Sequence, residues 1–263
     1  MLLTCHNRRD LTLECLGRLF SQTGLGDLKI ETTLVDDGSS DGTGDAVEAQ
    51  FPHVTVLRGD GSLYWCGGMR RAWSHAEQSA PDGYLLLNDD TILRPEALGE
   101  LIRLCESPDS PIIGVASIID PTTDRVSYGG VLKSLELARP NGSPRECATF
   151  NANCVLIPKA VFEKIGMLHS GYSHAMGDTD YGFMARRNGV RIFASGTSLG
   201  ECTLNLGRGK WRNRTLPRLE RLRALQSPKE LPWKEWVEFN RRNAGWIWPY
   251  RCISPFLRIL LGR

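Results

Sequence analysis

The sequence lacks several patterns that define other classes of protein. It has no run of about 18 apolar residues, so it predicts no membrane-spanning helix. It has no Gly-x-x-x-x-Gly-Lys-Ser/Thr phosphate loop, which argues against a P-loop ATPase. Its eight cysteines form no Cys-x-x-Cys pair and no zinc-finger spacing, so we expect reduced, mostly buried thiols. No secretory signal, repeat or low-complexity tract is visible, and these absences together favour a cytosolic globular protein.

The composition fits one large α/β domain, or one domain with an appended segment. The 263 residues are 41% hydrophobic and 24% charged, with a net charge of +2. This charge is unevenly distributed, because residues 208–263 contain 14 Lys or Arg and 4 Asp or Glu, a net +10, which leaves −8 on the preceding 207 residues. A basic end on an acidic body indicates an anionic surface or ligand for that end.

The clearest strand signal is the apolar run Tyr-Leu-Leu-Leu at residues 84–87, which leads directly into Asn88, Asp89 and Asp90. Such a run is typical of a strand buried on both faces of an α/β sheet. Ligands of these sheets bind at the carboxyl ends of the strands. Oxygen side chains at that position can hold a divalent cation that bridges a diphosphate. An ordinary turn is the alternative, since Asn and Asp also favour turns.

Strand and helix patterns alternate along the chain. We predict strands at residues 1–5, 31–35, 54–57, 84–87, 112–118, 153–158 and 191–194, and helices at residues 11–20, 45–50, 69–78, 98–105, 160–165 and 181–187. Residues 120–146 indicate an irregular insertion or hairpin. The alternation predicts an α/β fold with a mostly parallel central sheet and helices on both faces. The first strand is short for a central strand, which leaves open a start upstream of Met1.

Three acidic clusters follow predicted strands: Asp36, Asp37 and Asp41; Asp89 and Asp90; Asp178 and Asp180. Strand-end acids in one sheet converge on one crevice, which favours an active site over three unrelated turns. An acid after the second strand can hydrogen-bond a ribose or a base edge. The Asn-Asp-Asp cluster can carry a metal ion, and a carboxylate without metal can deprotonate an incoming hydroxyl.

Four segments, in this order, resemble family 2 glycosyltransferases of the GT-A (nucleotide-diphospho-sugar transferase) fold: LLTCHNRRDLTLECLGRLFSQ, TLVDDGSSDGT, YLLLNDDTIL and GDTDYGFMARRNG. The similarity is nearest to the branch with bacterial rhamnosyltransferases and other cell-surface polysaccharide enzymes. It implies a GT-A domain at residues 1–207 and a basic, Trp-rich extension at residues 208–263. It also implies inverting, metal-dependent transfer of a hexosyl or deoxyhexosyl group from a dTDP-, UDP- or GDP-linked donor to a hydroxyl of a glycan or lipid-linked acceptor.

The resemblance implies roles for individual residues. Donor binding is implied for Thr4, Asn7, Arg8, Asp36, Gly38, Ser39, Asp41, Asp60, Asn88 and Asp89. Asp90, with Asp89, is the implied ligand of Mg²⁺ or Mn²⁺. Asp180 matches the catalytic base of the family's Glu-Asp motif, while Thr179 replaces the Glu. The choice between Asp178 and Asp180 as the base therefore stays open.

A histidine that helps many family members to hold the cation or diphosphate is absent from residues 200–205. Glu201, Cys202 or Asn205 are the candidates to replace it, unless the donor phosphates and one Asp suffice. His6 and His174 lie near the motif loops. Since an isolated His is more often a solvated or capping residue, we assign neither a role.

Five further residues are candidates for contact with the two sugars. Gly67 and Gly68 would let the backbone approach the donor closely. Trp65 can stack on a sugar face, although core packing is slightly favoured. Asn151 and Asn153, two apart on a predicted strand, would point to the same side and can hydrogen-bond acceptor hydroxyls, with strand-edge polarity as an equal alternative.

The C-terminal extension has four tryptophans among its arginines: Trp233, Trp236, Trp246 and Trp248. Pro249 and Pro255 exclude one long helix. Aromatic rings beside Arg suit an anionic membrane surface, and they suit a helical cap on the catalytic domain equally well. Nucleic acid is disfavoured because the body is acidic. We expect a cytoplasmic protein, with peripheral attachment to the inner face of the cell membrane left open, and the sequence does not indicate an oligomeric state.

Two other functions fit parts of this pattern. A sugar nucleotidyltransferase is also α/β and metal-dependent, but it would show an early Gly-rich loop with Arg and Lys, which the first 25 residues lack. A non-catalytic nucleotide- or glycan-binding protein on the same fold is the other alternative. Metal-dependent hydrolysis of sugar nucleotides separates it from an enzyme, since a pure binder gives none.

Overall fold

The computed structural model describes residues 1–106, 111–204 and 209–262. The strands are β1 (Leu2–Cys5), β2 (Thr32–Asp36), β3 (Val54–Arg58), β4 (Gly83–Leu87), β5 (Ile92–Leu93), β6 (Ile112–Asp120), β7 (Arg125–Tyr128), β8 (Gly130–Val131), β9 (Arg145–Glu146), β10 (Thr149–Phe150), β11 (Cys154–Pro158) and β12 (Arg191–Glu201). The α-helices are α1 (Arg9–Phe20), α2 (Thr43–Gln50), α3 (Tyr64–Ala76), α4 (Ala97–Cys105), α5 (Lys159–Ile165), α6 (Gly177–Arg187), α7 (Arg218–Leu225), α8 (Trp233–Asn243) and α9 (Trp248–Leu260).

The first half of the main sheet is parallel. Strands β3, β2, β1 and β4 lie side by side in that order and run in one direction. Helices α1, α2 and α3 provide the three crossovers between them. The carboxyl ends of β1, β2 and β4 therefore meet at one edge of the sheet, where ligands of open α/β sheets bind.

The second half of the sheet is mixed. Strand β11 lies antiparallel between β4 and β6, and β12 runs parallel to β6 with β5 antiparallel beside it. The predicted α/β class, with helices against a central sheet, is confirmed, and the antiparallel insertion of β11 makes the sheet mixed. Since β11 runs in reverse, its amino end lies at the edge where β4 ends. The turn before β11 therefore faces the same crevice.

Each face of the sheet carries its own apolar layer. Leu2 and Leu86 belong to a core that includes residues of α3, whereas Leu3, Leu85 and Leu87 belong to a core that includes residues of α1. Successive side chains of a strand point to opposite faces. The apolar run of β4 is continuous because both of its faces are buried.

The bounds of several predicted elements differ from the structure, most clearly those of α3 and β12. Helix α3 begins at Tyr64, before the predicted start at residue 69, so Gly67 and Gly68 lie within a helix and not in a turn. A Cβ at Gly68 would lie only 2.8 Å from Cβ of Thr4, so glycine at this position lets α3 lie close against β1. Strand β12 continues to Glu201, past the predicted end at residue 194, because it pairs with β6 and then with β5.

The C-terminal segment forms a small helical layer. Helices α7 and α9 share a cluster of buried apolar residues around Leu225 and Ile259, and α8 packs against α6. As predicted, the segment does not form one long helix. Pro255 nevertheless lies inside α9 and does not end that helix. The predicted boundary at residue 207 lies outside the described residues. Among the helices that the structure describes, none combines the length and apolar character needed to cross a membrane.

Candidate functional site

A pocket of about 640 Å³ opens at the edge where β1, β2 and β4 end. Besides these loops, the turn before β11, the start of α6 and one side of α8 form its walls. Its charged lining residues are Arg8, Asp37, Asp89, Asp90, Asp178 and Lys229, and its aromatic ones include Tyr64, Trp65, Tyr128, Trp236 and Phe239. This combination of acids, two cations and aromatic rings suits a polar ligand with an anionic part.

The Asn-Asp-Asp segment is both a turn and a wall of the pocket. The backbone N–H of Asn88 donates to the carbonyl of Asn153 at 2.8 Å, and Thr91 N–H closes a turn on the Asn88 carbonyl at 3.1 Å. Oδ1 of Asn88 accepts a hydrogen bond from Nε1 of Trp65 at 2.7 Å. The side chain of Asn88 is therefore oriented by its neighbours, while all three residues of the segment face the pocket.

Arg8 pairs with both carboxylates of this segment. Its Nη1 lies 3.1 Å from Oδ1 of Asp89 and 2.5 Å from Oδ2 of Asp90. Burial raises the pKa of Asp89 to about 7, against the opposing effect of Arg8. Oδ1 of Asp90 is buried without a hydrogen-bond partner among the described residues. Because an unpaired buried carboxylate oxygen is costly, this atom is suited to a cation or a donor supplied by a ligand.

Asp89 and Asp90 fit part of the coordination shell of a divalent cation. The described ranges contain no group of three or more His, Cys, Asp or Glu side chains that could hold a metal ion, so donor phosphates and water would have to complete the shell. Burial, and next the charge of Asp90, raise the pKa of the Cys202 thiol to about 12. Of the other two candidates to replace the missing histidine, Glu201 has its Oε1 3.7 Å from Nη2 of Arg94, and Asn205 lies outside the described residues.

Asp36 and Asp37 have different surroundings because they point to opposite sides of the strand end. Asp36 is buried outside the pocket, where Oδ1 accepts from Ser39 N–H at 3.0 Å and Oδ2 lies 3.1 Å from Nη1 of Arg58. Asp37 lines the pocket, and its Oδ2 accepts the backbone N–H of Tyr64 at 2.8 Å. The resemblance implied donor binding for Asp36, whereas the structure brings Asp37 to the pocket.

Three more predicted donor residues hold the loops together behind the pocket. Asn7 N–H donates to Oγ of Ser39 at 2.9 Å, which joins the loops after β1 and β2. The carboxylate of Asp41 accepts from the backbone N–H of Arg9 at 3.1 Å and of Thr43 at 3.0 Å. Asp41 therefore stabilises the first turns of both α1 and α2. Asn7, Ser39 and Asp41 are not among the residues that line the pocket.

The remaining predicted donor residues outside the pocket are Gly38, Asp60, Gly67 and Gly68. Gly38 has φ 71°, and a Cβ there would lie 2.7 Å from N of Gly61, so this glycine allows the loops after β2 and β3 to pack together. Asp60 is exposed and accepts from Ser62 N–H at 3.0 Å. Of the predicted donor residues, the structure brings Thr4, Arg8, Asn88 and Asp89 to the pocket. The two loop residues and two helix glycines named above, Gly38, Asp60, Gly67 and Gly68, lie outside it.

Asp178 lies at the start of α6 and faces the pocket. Its Oδ1 accepts the backbone N–H of Thr179 at 2.7 Å, and its Oδ2 accepts the backbone N–H of Ala152 at 3.2 Å. These two bonds fix the orientation of the carboxylate. A third, longer contact joins Oδ1 of Asp178 to the hydroxyl of Thr179 at 3.4 Å.

Asp180 faces away from the pocket, because residues two apart on a helix point in different directions. It is 1% exposed. Its Oδ2 lies 3.0 Å from Nη2 of Arg242, and Nε of Arg242 donates to both oxygens at 3.1 Å. Nδ2 of Asn243 donates to Oδ1 at 2.6 Å. Asp180, which the resemblance implied as the base, is therefore a buried carboxylate that joins α8 to α6.

The three predicted acceptor-binding residues all line the pocket. Trp65 also packs against one of the main apolar cores, as the favoured interpretation of this residue predicted, and its stacking on a sugar stays a prediction. Asn151 and Asn153 lie in the turn before β11 and not on a strand. Nδ2 of Asn153 lies 3.4 Å from Oγ1 of Thr91, whereas the backbone N–H of Asn151 donates to the Gly129 carbonyl at 2.9 Å.

The C-terminal segment supplies pocket residues that the sequence pattern did not identify. Trp236 and Phe239 of α8 stack with 5.8 Å between ring centroids and 10° between ring planes, and Lys229 lies just before this helix. Glu235 accepts a hydrogen bond from Oγ of Ser173 at 2.5 Å, which holds α8 beside the pocket. The only sequence signal for these residues was the high Trp content of the extension, and it did not indicate which rings face the pocket.

The backbone is strained around the pocket. Among the described residues six non-glycine residues have positive φ, and Asn7 (52°), Tyr64 (52°) and Met176 (70°) are three of them. Tyr64 and Met176 line the pocket, and Asn7 lies between the lining residues His6 and Arg8. Such strain persists where the surrounding structure enforces it, and it concentrates at functional sites.

Comparisons with known proteins identify the family and the fold of this chain. Residues 1–166 match the model of Glycosyl transferase family 2. The mannosyltransferase PcManGT from Pyrobaculum calidifontis, solved with GDP-Man and Mn²⁺, is 17% identical with a TM-score of 0.57, over 99% of this chain and 72% of that one. TarS from S. aureus (residues 1–349) is 16% identical with a TM-score of 0.57, over 98% of this chain and 70% of that one.

A third solved structure of similar fold is GalNAc-T7 with UDP, GalNAc and Mn²⁺. It is 13% identical with a TM-score of 0.59, and the match covers 99% of this chain and 55% of that one. A search of the curated protein sequences found no match. At these identities the structural matches show the fold, which is the GT-A fold.

Proposed function

Since the chain belongs to glycosyl transferase family 2, we propose that it is an inverting, metal-dependent glycosyltransferase. It transfers a hexosyl or deoxyhexosyl group from a nucleotide-diphosphate sugar to a hydroxyl of a glycan or lipid-linked acceptor. The observation that carries this proposal is the meeting of Arg8, Asp89, Asp90 and Asp178 in one pocket at the carboxyl ends of parallel strands. Cationic and acidic groups in one crevice match the two tasks of the reaction, stabilising a diphosphate and accepting a proton.

The donor diphosphate is proposed to bind at the Arg8 side of the pocket. Asp90 and Asp89 would hold Mg²⁺ or Mn²⁺, and this ion would neutralise charge on the leaving diphosphate. Two of the similar structures contain Mn²⁺ together with a sugar nucleotide or its components, which supports the choice of ion. Arg8 can then donate to phosphate oxygens, with the charge-assisted geometry that guanidinium groups provide.

Asp178 is the proposed catalytic base. The acceptor oxygen forms a bond to the anomeric carbon, the bond from that carbon to the diphosphate oxygen breaks, and Asp178 takes the hydroxyl proton. Attack from the side opposite the leaving group inverts the anomeric configuration. The support for Asp178 is its position on the pocket wall and the fixed orientation of its carboxylate.

The acceptor is proposed to bind against the stacked rings of Trp236 and Phe239, near Trp65. Aromatic faces offer a flat apolar surface to a sugar ring, and Lys229 offers a cation to an acceptor that carries phosphate. A lipid-linked acceptor would place the enzyme in the cytoplasm at the inner face of the cell membrane, in the synthesis of a cell-envelope polysaccharide.

Trp236→Leu is expected to raise the KM for the acceptor by about tenfold, a loss of about 1.4 kcal/mol, with no change in donor affinity. The leucine keeps an apolar side chain but removes the ring stacked on Phe239. Steady-state kinetics with varied acceptor and calorimetry with the donor measure the two effects. Trp233→Leu is the matched control, since Trp233 lies on the same helix, is exposed and is outside the pocket. Equal KM values for both variants would remove Trp236 from the acceptor site.

A screen of nucleotide sugars by thermal shift with Mn²⁺ tests the proposed donor class, because a ligand of the native state raises its stability. In the same assay Asp90→Ala is expected to lose the metal-dependent shift and to abolish transfer. As a control, Asp27→Ala removes an exposed carboxylate outside the pocket and should behave as wild type. Full activity of Asp90→Ala in saturating Mg²⁺ or Mn²⁺ would refute the metal assignment, and a thermal shift without release of sugar would indicate a binding protein.

A further inference from the structure

The C-terminal helix exposes an apolar stripe on the side away from its own packing contacts. The stripe consists of six exposed side chains: Trp246, Tyr250, Ile253, Leu257, Leu260 and Leu261. Tyr250, Ile253, Leu257 and Leu260 lie on α9 at a spacing of three or four residues, which places them along one face of the helix. Trp246 lies in the short 3-10 turn before α9 and Leu261 directly follows the helix, so these two residues adjoin the ends of the stripe. Trp246 is 91% exposed and Tyr250 is 69% exposed, whereas Cys252 and Ile259 on the other face of α9 are buried. The helix is therefore apolar on two faces, and only one of them is packed.

A basic groove runs beside this stripe. It has a volume of about 620 Å³, and Arg212, Arg214 and Arg258 line it together with Tyr250 and Leu257. Within the part of the chain that the structure describes, none of these three arginines forms an ion pair with an acidic side chain. Three uncompensated guanidinium groups thus adjoin exposed apolar side chains.

Three of the four acidic residues of the segment are bound elsewhere. Glu230 accepts the backbone N–H of Gly209 at 2.5 Å, Glu235 binds Ser173, and Glu238 lies 3.6 Å from Nε2 of His169. The contacts of Glu235 and Glu238 join the segment to the catalytic body, which is the part of the chain before residue 208. No acidic residue is among the described residues that line the groove, whereas its three arginines are exposed, so the local charge there is positive.

From these observations we propose that α9 is a docking surface for an anionic phospholipid bilayer. The apolar stripe enters the boundary between headgroups and acyl chains, and the groove of Arg212, Arg214 and Arg258 receives lipid phosphates. Helices that lie in a membrane interface combine an apolar face with flanking Lys or Arg, and aromatic rings are enriched at that depth. Guanidinium groups bind phosphate oxygens in a bidentate manner.

A second copy of the chain fits this surface less well. In a twofold dimer the same patch meets itself, so the stripe of one copy would bring the arginines of both copies together. Repulsion between like charges opposes that arrangement, whereas an anionic bilayer neutralises them. The proposal concerns residues outside the reaction pocket and does not depend on the glycosyltransferase assignment.

Co-sedimentation of the full chain with vesicles tests the proposal. We expect binding to vesicles of phosphatidylcholine with phosphatidylglycerol, weaker binding as salt is raised, and little binding to phosphatidylcholine alone. Arg214→Gln/Arg258→Gln is expected to lower the partition coefficient roughly thirtyfold, which corresponds to about 2 kcal/mol for two basic residues. Ile253→Ser/Leu257→Ser is expected to lower it by at least about tenfold.

Matched controls remove the same chemistry from other surfaces. Lys133→Gln/Arg139→Gln removes two exposed charges, and Leu28→Ser/Leu135→Ser removes two exposed leucines, and both should bind vesicles as wild type does. Absence of salt-sensitive binding by the wild type, or equal binding by the test and control variants, would overturn the proposal. A stable dimer by light scattering that Ile253→Ser/Leu257→Ser converts to a monomer would also overturn it, since the stripe would then be an interface between copies.

Discussion

Asp178→Asn is expected to lower the turnover number by about 10² or more while donor affinity is kept. The substitution keeps the shape of the side chain but removes the group that accepts the acceptor's proton. Quench-flow or steady-state kinetics at saturating donor and acceptor measure this loss, and calorimetry measures donor binding. Thermal unfolding is needed beside them, because an amide cannot accept hydrogen bonds from both Thr179 and Ala152 as the carboxylate does.

Asp180→Asn is the matched variant for this experiment. It makes the same chemical change two residues along α6, at a carboxylate that is buried against Arg242 and lies outside the pocket. We expect it to retain turnover per folded molecule and to lose stability instead. If Asp180→Asn is inactive and folded while Asp178→Asn turns over normally, Asp180 is the base, as the resemblance to the family implies.

Arg242→Met is expected to destabilise the protein by about 3 kcal/mol. The variant leaves the carboxylate of Asp180, which is 1% exposed, without its cationic partner, while the amide of Asn243 still donates to it. Urea unfolding measures the change in the free energy of unfolding. Because α8 also carries Trp236 and Phe239, the KM for the acceptor should rise in the same variant.

The double variant Asp180→Asn/Arg242→Met should recover much of this loss, since no buried charge is then left unpaired. Arg191→Met is the control for an ordinary surface pair, because Arg191 and Glu146 lie 3.3 Å apart with half of each side chain exposed. We expect that substitution to change stability by less than about 1 kcal/mol. A loss from Arg242→Met as small as that from Arg191→Met would show that Asp180 is not held as a buried ion pair.

The elements of the catalytic body followed from local patterns in the sequence. The apolar run at residues 84–87 became β4, and the spacing at residues 11–20 became most of α1 (Arg9–Phe20). Burial on one or both faces imposes a periodicity that a short window of sequence shows. The start of α3 was wrong because Gly67 and Gly68 resemble turn residues locally, whereas their lack of a side chain serves close packing against β1.

The sequence also located the acidic residues of the pocket to within a few positions. It pointed to acids after the strands that became β2 and β4 and at the start of α6, which the pocket contains as Asp37, Asp89, Asp90 and Asp178. The sequence could not decide which acid of a close pair faces the pocket, either for the adjacent Asp36 and Asp37 or for Asp178 and Asp180, which are two residues apart. That choice depends on which way each side chain leaves the backbone, and a shift of one or two residues reverses it.

By itself, the sequence determined that this chain folds as an α/β domain with acidic groups at one edge of its sheet, because hydrophobic periodicity and strand-end residues are local properties. Only the tertiary structure decided that Asp178 faces the pocket while Asp180 binds Arg242, and that Trp236 and Phe239 close the pocket from the C-terminal segment. These contacts join residues about 60 or more positions apart in the chain, and no local propensity encodes such a pairing. They follow from how α8 packs on α6, and that packing exists only once the whole chain has folded.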